Sequence, residues 1–173
     1  MRRALVIFVT LVLLWAVVAE LNHALSPRHV YLWIGGLFMT YSALTLSFRA
    51  GLVGTLCAGM LCDASAPIPF GTHALLFAAA HVIIFNIRDR VPRDETVARV
   101  IIALLANLVL FLVFSLFLIT RFPSASTAWP RLGLDLLCSQ LAIILIAPWF
   151  FALQSGALEV ARPFLTRYGR DLE

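Results

Sequence analysis

Six apolar runs separated by short polar breaks organise the chain. The first covers residues 4–21 behind Met1-Arg2-Arg3, and the second covers 29–48 after Ser26-Pro27. A third, glycine-rich run over 50–64 is short and ends in Asp63. Beyond it, Pro67-Ile68-Pro69-Phe70-Gly71 breaks any helix, because proline lacks the amide hydrogen and glycine frees the backbone. The fourth run covers 72–87, a polar loop 88–99 follows, and the fifth covers 100–120. After a loop of Pro and Ser, the sixth runs over 132–154, leaving a tail at 155–173. A helix crossing a bilayer needs about 20 apolar residues. The pattern therefore predicts an all-α, polytopic membrane bundle of about six segments, a single integral membrane domain over 1–173. The third run is too short to cross alone, so it is expected to be shielded by neighbours and to form a tight pair with the fourth. The first run has a signal peptide as its alternative. It is longer than a signal h-region, and a retained span is expected.

Composition removes the soluble alternatives. Hydrophobic residues make up 62% of the chain and charged residues 13%, against about 25% charged in ordinary globular domains. Mean hydropathy is +0.97. A domain of 173 residues cannot hide that much apolar surface from water. The basic surplus consists of 13 Arg and no Lys against 9 acids, and it sits in short loops between apolar runs. That placement reads as topology information and not as a nucleic-acid surface. With the N-terminus in the cytoplasm, Arg2, Arg3, Arg49, Arg88, Arg90, Arg93, Arg99, Arg162, Arg167 and Arg170 fall inside and Arg28, Arg121 and Arg131 outside. An even number of segments then returns the C-terminus to the same side, which predicts both termini cytoplasmic. Cys57, Cys62 and Cys138 lie within apolar runs and imply neither a disulfide framework nor a zinc site; they read as small core residues.

Few residues are left to carry chemistry. Gly51, Thr55, Gly59 and Asp63 recur every fourth position, so one face of the third segment is small and ends in a carboxylate. Such a face lets helix backbones approach closely. Asp63 is expected to cap backbone donors at the 67–71 break or at the start of the fourth segment, with a partner or ligand contact, or proton or ion transfer, as alternatives. A cap of that kind predicts that Asp63→Asn is mild. His73 and His81 lie two turns apart, about 12 Å along a helix, too far to share one metal ion. They read as packed, hydrogen-bonded rings, with a proton site as the alternative. Asn86 and Asn107 look like interhelical glue. Glu20, Asp135 and Ser139 fall toward the outer side, where Arg28, Arg121 and Arg131 are expected to neutralise the acids. The alternative is a partner-facing patch, since Glu20 and Asp135 belong to the first and last segments. The 88–99 loop reads as a topology anchor, with a protein contact as the alternative. Leu158, Phe164, Leu165, Tyr168 and Leu172 alternate with Arg162, Arg167 and Arg170 in a tail suited to an anionic leaflet, where Pro163 is expected to limit any long helix. Trp15 and Trp33 are expected to pack within their spans. No nucleophile elbow, metalloprotease helix or phosphate loop occurs, so no catalytic residue, metal or cofactor is expected.

The stretch 51–87, GLVGTLCAGMLCDASAPIPFGTHALLFAAAHVIIFNI, resembles the core signature of the rod shape-determining MreD family: a short glycine-rich helix, an aspartate, a Pro and Gly turn, and a long apolar helix. Its anchors are Gly59, Asp63, Pro69, Gly71, Ala74 and Leu75, and Pro148-Trp149 is similar to a further feature of that family. The resemblance implies a non-enzymatic membrane scaffold of the bacterial cell-elongation machinery. Its partners would be MreC and, indirectly, the actin-like MreB and peptidoglycan synthases, with membrane lipids around it and no nucleic acid. It also implies a fold similar to the substrate-binding component of energy-coupling-factor transporters, which makes a vitamin-type transporter component the alternative function. A transporter predicts an outward cavity with convergent polar groups; a scaffold predicts a filled interior and a lipid-facing groove.

Overall fold

The computed structural model describes residues 2–66, 68–90, 95–119 and 125–167. Six α-helices appear among them: α1 (Arg2–Leu25), α2 (Gly35–Thr45), α3 (Phe48–Ser65), α4 (Thr72–Ile87), α5 (Thr96–Ile119) and α6 (Ala125–Arg167). Short 3-10 turns follow α1 at Ser26–Arg28 and α4 at Arg88–Arg90. The bounds of α4 coincide with the apolar run, because the Pro and Gly break before it and the arginines after it are both strong punctuation.

Three helices are long and apolar enough to cross a membrane: α1, α5 and α6. Their outward faces are apolar stripes. On α1, Leu5, Val9, Leu13 and Val17 recur every fourth residue and each is more than half exposed. On α5 the stripe contains Ile101, Leu105 and Val109, and on α6 it contains Leu137, Leu141, Leu145 and Trp149. Apolar stripes running the length of three helices are not what a monomer presents to water, and they match lipid.

The core is built around α2. Every residue from Gly35 to Leu44 is buried, and a helix apolar all round belongs in an interior. It packs against α3, α4 and α5. At 11 residues, α2 is about 16 Å long, far shorter than the predicted 29–48 segment. Residues 30–34 ahead of it are not helical. This corrects the expectation of one continuous second helix, and the reason lies in side-chain chemistry described below.

A second correction concerns the C-terminal part. Helix α6 starts seven residues before the predicted 132 and runs through Pro148 and Pro163 to Arg167, 43 residues in all, or about 65 Å. Pro163 does not end it. Proline removes one donor and crowds the preceding turn, but Ala157, Leu158, Glu159 and Ala161 around it favour helix, and Leu158 packs on the core. The tail beyond Arg167, with Tyr168, Arg170 and Leu172, lies outside the described residues, as do Pro67, Arg93 and Arg121.

Candidate functional site

The small face of α3 is spent on α4 and, at Gly51 and Thr55, on α2 as well. A side chain at Gly59 would collide with the backbone of Ala74, and one at Gly51 would meet the His81 ring. Between them, Thr55 Oγ1 lies 3.3 Å from His81 Nδ1 and 3.0 Å from Ser42 Oγ. Asp63 completes the row. Its Oδ1 accepts the His73 amide at 2.8 Å and faces His73 Nδ1 at 2.8 Å, while its Oδ2 accepts the amides of Gly71 at 2.9 Å and Ala74 at 3.2 Å. The carboxylate therefore closes the break between the helices and neutralises the amino end of α4, where free amides and the helix dipole attract an anion.

Three backbone amides aimed at its two oxygens favour the ionised form of Asp63, which accepts only. An acceptor-only carboxylate requires a hydrogen on His73 Nδ1. In the neutral ring, Nε2 is then the acceptor. Pro69 and Gly71 shape the link. The Pro69 carbonyl accepts from both the amide and the hydroxyl of Thr72, and Gly71 adopts φ +97°, a left-handed conformation that glycine holds without steric cost.

A second polar constellation explains the missing first turns of α2. Asn22 of α1 clamps Leu32 on both sides, accepting its amide at 2.7 Å and donating to its carbonyl at 2.9 Å. From α6, Asp135 Oδ1 accepts the Tyr31 amide at 2.9 Å and Ser139 Oγ accepts the Trp33 amide at 2.9 Å. Three successive amides are thus satisfied by side chains, which removes the incentive to coil. Asn107 of α5 continues the pattern by accepting the Gly36 amide at 3.1 Å. Asp135, Ser139 and Asn107 stand out in the sequence as polar letters within apolar runs, whereas Asn22, near the end of the first run, is not singled out there. Their targets are backbone groups far away in the chain, which no spacing rule reveals.

Several expectations are corrected here. Asp135 is buried and serves residue 31; among the described residues neither it nor Glu20 pairs with Arg28 or Arg131. Glu20 is solvent- or headgroup-exposed on α1, and its long helix holds it away from Asp135's backbone task. Asn86 is exposed too, because α4 turns only His73, Phe77, His81 and Ile84 with their small neighbours inward. His73 and His81 remain separate, each in its own hydrogen-bonded setting. Among the described residues no group of three or more His, Cys, Asp or Glu side chains is placed to hold a metal.

Two concavities flank these networks. A cavity of about 190 Å³ lies between α1, residues 31–35, the end of α3 and the start of α4; Trp15, Trp33, Phe38, Phe77, Ser65 and His73 are among its walls. Trp15 Nε1 donates weakly to Ser65 Oγ at 3.4 Å, and Trp33 is held edge-on by Phe114 with ring centroids 5.2 Å apart. At the opposite end, an apolar groove of about 560 Å³ runs between the starts of α1 and α3, floored by Ala4, Ala50 and Gly54 and edged by Leu5, Val53 and Arg49. The chain is thus a helical membrane-type bundle with one broken, side-chain-clamped segment. Comparison with family models, curated proteins and solved structures finds no match to it.

Proposed function

We propose that the chain is a non-enzymatic scaffold of the bacterial cell-elongation machinery, of the kind its 51–87 segment resembles, which binds the single-span protein MreC within the inner membrane. In this reading all six helices are embedded, α2 crossing together with residues 30–34, and both termini are cytoplasmic. Clustering of arginines at one end supports that orientation. Arg88 donates to the Leu46 carbonyl at 3.1 Å, Arg99 lies over the Tyr41 ring at 6.0 Å, and Arg49 opens α3 beside them.

The observation that carries the reading is the groove between α1 and α3. Gly51 and Gly59 are consumed by α4, but Ala50 and Gly54 form a separate small row. A side chain at Gly54 would meet only the Ala4 carbonyl, 3.9 Å away. Small residues flanked by exposed Leu5 and Val53 suit a second helix at close range, where packing rather than hydrophobicity drives association in lipid. Co-purification with MreC in mild detergent tests this. The wild-type chain retains MreC, whereas Gly54→Leu fills the groove and loses it while remaining folded. Retention of MreC by folded Gly54→Leu overturns the groove as the contact, and no co-purification of the wild type overturns the scaffold.

One observation favours the transporter component as a second reading: the aromatic-walled cavity lies against a broken helix, and broken helices are where transporters place their substrate sites. Saturable transport-linked uptake of a vitamin, lost on deletion of this chain, would move the function there.

A further inference from the structure

We infer that the cavity beside His73 is a binding site for a small, uncharged aromatic or heteroaromatic molecule carrying one N–H or O–H donor. The inference does not rest on the scaffold reading, since the groove and the cavity are formed by different ends of α3; it gives a ligand class to the cavity that favours the second reading, and binding by the purified chain is read separately from uptake.

Size and wall chemistry set the ligand class. A dry apolar cavity of about 150 Å³ accepts a benzene ring, so about 190 Å³ admits one ring or a small fused pair. Trp15, Trp33, Phe38 and Phe77 supply ring faces and edges, which select a planar apolar body. No Arg side chain lines the cavity, so nothing there compensates an anion. The nearby carboxylate of Asp63 is already engaged by four nitrogens, so it offers nothing to a cation. The polar requirement comes from His73. Its Nδ1–H is committed to Asp63, and its Nε2 has no partner among the described residues. A ligand donor satisfies that lone pair.

The walls are held before any ligand arrives. Residues 31–33 are tied by Asn22, Asp135 and Ser139, and His73 is oriented by the carboxylate behind it. Preorganisation of this kind lowers the ordering cost of binding. It also gives a role to buried polar groups that a purely packed bundle does not need, since helix packing alone would be served by an unbroken second span.

The test uses the purified full chain in detergent or nanodiscs, with indole and phenol as probes and 1-methylindole as the donor-less control, followed by calorimetry and ligand-observed NMR. Saturable binding of indole or phenol at one site per chain is expected, with 1-methylindole at least tenfold weaker. Ala19→Trp, at an exposed α1 position on the cavity rim, fills the space without touching the core and abolishes binding. His73→Asn retains a donor for Asp63 but is too short to place an acceptor where Nε2 stood, and weakens indole at least tenfold while changing 1-methylindole less. The inference is overturned if folded wild-type protein binds neither probe, if indole and 1-methylindole bind equally, or if Ala19→Trp leaves indole binding intact.

Discussion

The two membrane-type carboxylates look alike as letters and differ in what they carry. Asp63 engages four nitrogens with its two oxygens, whereas the Asp135 carboxylate accepts one hydrogen bond, from the Tyr31 amide. An amide in place of Asp63 turns an NH₂ group toward amides that are themselves donors. Asp63→Asn is therefore expected to cost about 3 kcal/mol, the scale of lost bonds to a charged group plus unsatisfied donors. That reverses the mild effect expected from a single cap. Asp135→Asn keeps an acceptor and is expected to cost less than about 1 kcal/mol. Thermal unfolding of the two variants in the same detergent checks the contrast, and equal shifts would remove the distinction. The glycines divide similarly. At Gly71 a Cβ meets open space, so Gly71→Ala costs only the left-handed strain of about 1–2 kcal/mol. At Gly59 a Cβ strikes the α4 backbone, so Gly59→Leu is expected to cost about 3 kcal/mol or more and to appear as loss of monodisperse protein on gel filtration.

Elements were readable wherever a boundary is written in local chemistry. The α3–α4 pair was legible because the four-residue spacing of Gly51, Thr55, Gly59 and Asp63 and the 67–71 break both act within a short span of sequence. Residues 30–34 were not, because they continue an apolar run and, although their β-branched and aromatic side chains lean toward extended backbone, it is distant Asn22, Asp135 and Ser139 that hold them out of a helix. Nor was the full length of α6, whose Pro163 reads as a limit although helix-forming neighbours and the core contact of Leu158 override it. The clamp makes a prediction at this scale. Asn22→Ala removes both bonds to Leu32 and leaves its amide and carbonyl unpaired, which is worth about 2 kcal/mol of local opening. Hydrogen exchange is expected to rise at residues 31–33 by more than tenfold while α5 is unchanged. Uniform exchange across the chain would mean that Asn22 supports the whole bundle and not the segment.

At the scale of the molecule, the two ends of the bundle are chemically different. Arg49, Arg88 and Arg99 gather where α2 ends, α3 begins, α4 ends and α5 begins. Asn22, Asp135 and Asp63, all turned to backbone amides, meet at the other end. Arginines beside the membrane favour the cytoplasmic face because translocating them is resisted during insertion. The guanidinium of Arg88, 3.7 Å from the Phe85 ring centroid, fixes the end of α4 at that level. If the bundle crosses as proposed, a cysteine at position 89 is cytoplasmic and one at position 26 is outside. On a background with Cys57, Cys62 and Cys138 replaced, an impermeant maleimide applied to intact cells is expected to label Ser26→Cys and to label Asp89→Cys only after permeabilisation. The opposite pattern would invert the orientation. Labelling of both in intact cells would show that α2 through α4 do not complete the crossings between those positions, leaving α1, α5 and α6 as the spanning helices.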